Sequence, residues 1–259
     1  MKYSIIIPCF NNFALLSECF SSVLSSTGPD TEIVLVNNLA PYTDVQDFLS
    51  HVSHPRVRVL NPGENLGSLG AGQYGKERAR GEFLVYLDDD VEVPENGWLE
   101  AMEQALMDHP DLGMVSLFFE PGSPELGRGE IRTGESYELD VRDEPIFVMC
   151  AMTERSVWQQ CFSNMKGCEV FDCLGTIYYQ GLQRCQKKVA YVTSHYVKFL
   201  ACKESSGPLY KMWKVLYEKK ETEMPYEKWC KRGHFCYQKK LRLLAFGSTE
   251  EELPDPQGP

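Results

Sequence analysis

The sequence predicts an α/β protein with a mostly parallel central sheet flanked by helices, followed by a helical C-terminal extension. Three observations predict it. Apolar runs bounded by turn residues alternate with segments of helical period through the first half, the pattern of βα units. The apolar run Phe83-Leu84-Val85-Tyr86-Leu87 ends abruptly in Asp88, Asp89 and Asp90. A chain of 259 residues with 43% hydrophobic and 12% aromatic side chains can bury one large core and carry a small appendage.

Taken in order, Ser4 to Ile7 reads as a buried strand, and Phe13, Leu16, Phe20 and Val23 then recur at a helical interval. Glu32 to Val36 is the next strand, Asp44 to Val52 a helix, and Val57 to Leu60 a short strand. The Gly-rich stretch Gly67 to Gly75 leads into a helix containing Lys76, Arg78 and Arg80. Phe83 to Leu87 is the strand that delivers the aspartates, Trp98 to Met107 is helical, and Met114 to Phe118 is a further strand. Glu120 to Arg132, rich in Gly, Pro and Glu, reads as a loop placed to move over a ligand. Ile146 to Met152, a helix near Ser156 to Phe162, a segment Gly175 to Lys187 and the strand Val189 to Val192 complete a domain spanning 1–206. Leu209 to Lys220 and Tyr226 to Phe246 read as helices of the extension, 207–259, which closes on an acidic, disordered tail.

A formal net charge of −11 argues against nucleic acid as a partner, because counterion release needs clustered Lys and Arg. The extension is locally basic and interleaves Tyr210, Trp213, Tyr217, Tyr226 and Trp229 with lysines. Such a mixture suits peripheral contact with anionic lipid, and equally suits aromatics packed on the main domain with solvated lysines. The ten cysteines sit in apolar runs without CxxC spacing, so they read as reduced and no zinc site is expected. The apolar stretch before Pro8 is too short for a signal peptide or a membrane span, and the expected location is the cytoplasm, with peripheral contact at the inner face of a membrane as the alternative that the extension leaves open.

The chemistry concentrates at Leu87-Asp88-Asp89-Asp90-Val91. In an open parallel sheet, ligands bind beyond the carboxyl ends of the strands. Two carboxylates one residue apart, held by a rigid strand, can share a hard divalent cation that also takes oxygens from a diphosphate. The plainer reading is a solvated acidic turn.

With these residues in view, the sequence resembles the family 2 glycosyltransferases, whose GT-A fold is a nucleotide-binding βα sheet with a DxD metal motif. The resemblance covers roughly residues 3 to 200. It is carried by Ser4-Ile5-Ile6-Ile7-Pro8-Cys9-Phe10-Asn11, by Glu32-Ile33-Val34-Leu35-Val36-Asn37-Asn38, and by Asn65-Leu66-Gly67 through Ala79-Arg80-Gly81 to Leu87-Asp88-Asp89-Asp90. It implies a GT-A-like nucleotide-binding domain acting on a nucleoside-diphosphate sugar, with UDP or dTDP favoured. Pro8, Phe10, Asn11, Asn37, Arg78, Asp88 and Asp89 would line the donor site. Asp88, Asp90 and His195 would hold Mn²⁺ or Mg²⁺. The acceptor would be a glycan or lipid-linked hydroxyl, attacked with inversion.

The chain departs from the family at two points. The second strand ends in Asn37 where the family has an aspartate accepting a base N–H; an amide oxygen can accept that bond without the charge. The Glu-Asp pair that supplies the family's base is absent; Asp172 is the nearest candidate and Glu169 the reserve, while an aspartate ahead of a helix also serves as an N-cap. Arg78 and Arg80 could bond phosphate or simply face water. Two rival activities follow. A sugar-phosphate nucleotidyltransferase would need a Gly-rich loop where Pro8-Cys9-Phe10-Asn11-Asn12 stands, and a sugar-nucleotide binding module without turnover would fit the missing pair.

Overall fold

The computed structural model describes residues 1–10, 13–40, 42–119, 121–123, 126–162 and 174–200. All of them belong to the first of two compact units, Met1–Glu204 and Ser205–Pro259. The basic helices expected after 207, with their lipid-facing surface, lie outside the described residues, as do Asn11, Glu169 and Asp172.

The first half alternates as expected: β1 (Tyr3–Cys9), α1 (Phe13–Ser26), β2 (Thr31–Asn37), α2 (Thr43–His51), β3 (Val57–Leu60), α3 (Gly67–Arg78) and β4 (Phe83–Leu87). Every position of β1, β2 and β4 is buried, which is why these strands read as continuous apolar runs rather than alternations. Helix α1 turns Leu16, Cys19 and Val23 inward at the helical spacing. The rest of the domain comprises β5 (Val91–Glu92), α4 (Trp98–Asp108), β6 (Leu112–Phe118), β7 (Glu130–Thr133), β8 (Glu138–Arg142), β9 (Cys150–Glu154), α5 (Arg155–Cys161), α6 (Leu174–Arg184), β10 (Lys188–Tyr196) and β11 (Lys198–Phe199).

The main sheet is ordered β3-β2-β1-β4-β9-β6-β10-β8-β7. Its left half is parallel, β6 and β10 are parallel, and β9 runs antiparallel between β4 and β6. Strands β4, β6 and β10 therefore share one direction, and their carboxyl ends share one edge.

Four expectations need correction. The Gly67 to Gly75 stretch is helical from its first residue, because its glycines serve packing: a β-carbon at Gly75 would overlap Ile6 of β1, and one at Gly72 would press on the Tyr86 ring at 3.0 Å. The Glu120 to Arg132 loop ends in β7, which pairs with β8; β7 is mostly exposed and so carried no apolar alternation. The strand expected over Ile146 to Met152 begins only at Cys150 and runs to Glu154. Cys161 and Cys185 form a disulfide with Cα atoms 6.1 Å apart, a separation that bridging requires, so these two are not reduced thiols. Cys9, Cys19 and Cys150 are free and buried, and burial pushes their thiols up. Among the described residues no helix is long and apolar enough to cross a membrane.

Candidate functional site

The order of connection reverses between β1 and β4, since the chain first builds outward through β2 and β3 and then returns to the other side of β1. Such a switch point opens a crevice at the carboxyl ends of the two strands. The register shows the opening directly: β1 pairs with β2 as far as Cys9 opposite Asn37, but its last pair with β4 is Ile6 with Tyr86. Pro8, which has no N–H to offer, falls past that last pair, where the ladder to β4 has ended.

The aspartates close the far side of this crevice, and each is held differently. Asp89 is buried, and its Oδ2 accepts the backbone N–H of Phe10 at 2.6 Å, bridging the two strand ends. Asp88 is half-buried; its Oδ1 accepts the Tyr86 hydroxyl at 2.6 Å and its N–H donates to the Met149 carbonyl at 2.9 Å. Asp90, also half-buried, accepts the Leu200 N–H on its backbone carbonyl at 2.8 Å, where β11 runs antiparallel to β5. Asp89 thus works as a brace, while Asp88 and Asp90 flank it half-buried at the end of β4.

Asn37 does not stand alone at the crevice. It exchanges two bonds with Gln46, at 2.8 and 3.1 Å, and donates to Asn61 Oδ1 at 3.1 Å, so one lone pair of its carbonyl is already used. The sequence carried no signal for this cluster, because Gln46 lies on α2 and Asn61 follows β3. Asn38 Oδ1 accepts the Leu66 N–H at 2.8 Å, and Asn65 Oδ1 accepts the Gly67 N–H at 2.8 Å, so two asparagines fix the start of α3. The Asn65 amide nitrogen is buried with no hydrogen-bond partner.

Two expected site residues lie elsewhere. Helix α3 runs back along the sheet, so its last residue, Arg78, stands roughly 16 Å from its first at 1.5 Å per residue. There Arg78 stacks on Tyr74 at 3.6 Å and pairs with Glu77, while the Arg80 N–H donates to Ser4 and Glu32 at the amino ends of β1 and β2. Neither reaches the crevice. His195 lies against the start of α4: Gly97 is so close that a β-carbon there would sit 3.6 Å from His195 Nε2. Burial lowers its pKa while Glu100 pulls it up.

Among the described residues no three His, Cys, Asp or Glu side chains gather as a metal cage. Asp88 and Asp90 nevertheless offer the hard oxygen donors that suit Mg²⁺ or Mn²⁺, ions that ordinarily take one or two carboxylates and complete their shell with phosphate oxygens and water. A cleft of about 490 Å³ lies along the β5–β11 ladder, lined by Glu92, Glu95, Phe119, Tyr196, Lys198 and Phe199.

Beneath the triad lies a residue that sequence reasoning passed over. Lys76 is 2% exposed, donates to the Tyr178 hydroxyl at 3.0 Å, and has its pKa lowered to about 7 by burial.

Comparison with known proteins bears on the family and the fold. Residues 4–156 match the family described as Glycosyl transferase family 2. The GalNAc(5)-diNAcBac-PP-undecaprenol beta-1,3-glucosyltransferase of Campylobacter jejuni is 28% identical over 107 residues, 40% of this chain and 34% of that protein. The chain spans about a third of the length of the first curated relatives it matches. In fold it is similar to GalNAc-T7 with UDP, GalNAc and Mn²⁺, at a TM-score of 0.63 and 16% identity over 93% of this chain and 54% of that one. It is also similar to S. aureus TarS 1-349 in complex with UDP-GlcNAc, at a TM-score of 0.55 and 12% identity over 88% of this chain and 69% of that one.

Proposed function

Because the chain belongs to glycosyl transferase family 2, we propose that it is an inverting enzyme moving a sugar from a nucleoside-diphosphate sugar to a hydroxyl of a glycan or lipid-linked acceptor. The observation that carries this reading is the placement of Asp88 and Asp90 at the switch-point crevice, bridged to β1 by the Phe10–Asp89 bond. UDP or dTDP is the favoured carrier, supported by GalNAc-T7 and TarS, whose structures hold UDP and UDP-GlcNAc.

In this reading the base lies between Pro8, Phe10 and Asn37, with the diphosphate directed toward the ends of β4. Asp88 and Asp90 would hold Mn²⁺ or Mg²⁺, which when bound would neutralise negative charge on the departing diphosphate. Asp172, with Glu169 in reserve, takes the proton of the acceptor hydroxyl. That oxygen then forms its bond to the anomeric carbon from the face opposite the diphosphate, and the anomeric C–O bond breaks with its electron pair leaving on the diphosphate. The cleft along β5 and β11 supports the acceptor side, since aromatic faces and carboxylates suit a sugar's C–H surfaces and hydroxyls.

The test is a melting panel with UDP, dTDP, GDP and CMP, each with and without Mn²⁺, on the wild type and on Asp90→Ala. A ligand that binds only the folded chain raises its melting temperature by mass action. A metal-dependent rise with one diphosphate, lost in Asp90→Ala, is the expected outcome; no rise with any nucleotide overturns the reading.

A further inference from the structure

Helix α3 is buried on nearly all sides, with the sheet on one side and α5 and α6 on the other, and two of its inward side chains are polar. Gln73 is satisfied in an ordinary way: its carbonyl accepts from Trp158 Nε1 at 2.7 Å and its amide donates to the Phe162 carbonyl at 3.2 Å. Lys76, one turn later, is not. Its amine meets two tyrosines: it donates to Tyr178 of α6 at 3.0 Å and stands 4.6 Å from the Tyr178 ring centre and 5.9 Å from that of Tyr86 in β4. The charged residues beside it on α3, Glu77 and Arg78, pair with each other at the surface.

A buried ammonium without a carboxylate costs several kcal/mol, and an apolar side chain of similar volume would pack there more stably. Stability therefore does not account for the lysine. Its surroundings do: Tyr86, the second ring it faces, donates to Asp88 Oδ1 at 2.6 Å. The Asp88 charge is also felt at Tyr178. The amine thus lies between the Tyr178 hydroxyl that it bonds and the Tyr86 ring whose hydroxyl bonds Asp88.

We propose that Lys76 is a positioning residue for Asp88, holding the Tyr86–Tyr178 pair in the arrangement that fixes one oxygen of that carboxylate. The functional weight of this rests on the reading of Asp88 as a donor-site carboxylate. The structural claim does not.

The experiment therefore has two arms. In the first, the Asp88 carboxyl carbon is followed by ¹³C NMR from about pH 6 to about 8.5, where an ordinary aspartate stays ionised. The wild type shows an inflection near pH 7 as the amine titrates. Lys76→Met and Tyr86→Phe abolish it. Tyr178→Phe keeps the amine but removes its hydrogen-bond partner, and so displaces the inflection, which preserves the test where Lys76→Met fails to fold. An inflection unchanged in Lys76→Met, or absent in the wild type, overturns the proposal. In the second arm, binding of UDP with Mn²⁺ weakens roughly tenfold in Lys76→Met, as for partners that orient metal ligands. The Lys76→Met/Tyr86→Phe double variant is no weaker than Tyr86→Phe alone; full additivity overturns the proposal. The wild type separates the two failures: where it binds no nucleotide, the donor-site reading falls and the NMR arm alone decides.

Discussion

The backbone N–H of Phe10 donates to Asp89 Oδ2 at 2.6 Å, joining residues separated by 79 positions across the mouth of the crevice. The middle aspartate of the triad is thereby a strut between the ends of β1 and β4. Asp89→Asn is expected to lower stability by about 1–3 kcal/mol, because a buried charge-assisted bond is replaced by an amide that can present its donor face. Urea unfolding of Asp89→Asn against the wild type checks this, and an unchanged midpoint would contradict the assignment.

Gly75→Ala tests how closely α3 lies on the sheet. A β-carbon there would meet Ile6 and Val36, so the helix must lift or the strands must yield. Overpacking of this kind costs about 1–3 kcal/mol, outweighing the helix-propensity gain of about 1 kcal/mol from replacing glycine. A lowered melting temperature is expected; a raised one would mean that helix and sheet are less tightly packed.

Lys76 gives stability a pH dependence of definite sign. Its ordinary pKa of 10.5 falls to about 7 in the folded chain. Between these values the unfolded chain binds more protons than the folded one, so the group's contribution is complete above the unfolded value and is lost as pH falls toward the folded one. Stability from this source rises by about 1 kcal/mol per pH unit between roughly 7 and 10. Denaturant midpoints of the wild type and Lys76→Met, compared across that range, should converge as pH rises. Parallel curves would show that the amine does not titrate on folding.

The disulfide closes a loop with a sequence separation of 24, which in the chain-entropy account stabilises by about 3 kcal/mol. Cys161→Ala and Cys185→Ala should each lose about that much, and dithiothreitol should bring the wild type down to their level. Alkylation before and after reduction, read by mass spectrometry, checks the pairing independently.

The sequence revealed elements whose burial is uniform and hid those whose burial is mixed. Strands β1, β2 and β4 announce themselves because helices cover both faces, and the triad stands out because it interrupts such a run. Strand β7, exposed at three of its four positions, gave no pattern and read as loop. In the site, residue types were legible but their partners were not: Asn37 depends on Gln46 and Asn61, and Lys76 on Tyr178, 102 positions away. Arg78 and Arg80 looked suited to phosphate by charge, yet the length of α3 carries them to the wrong end of the sheet. Composition records charge, while the direction of an element decides where the charge is delivered.

Strand β9 runs against both its neighbours, so it starts where β4 and β6 finish. The chain leading into it, with Met149 accepting from the Asp88 N–H, therefore enters the sheet at the rim of the crevice instead of behind it. Ile146, Val148 and Met149 of this segment are buried, and the Phe147 N–H donates to the Tyr191 hydroxyl of β10 at 2.7 Å. The reversed strand thus anchors the rim beside the first aspartate to the core of the sheet, so that whatever the crevice holds meets a margin that the fold itself keeps in place.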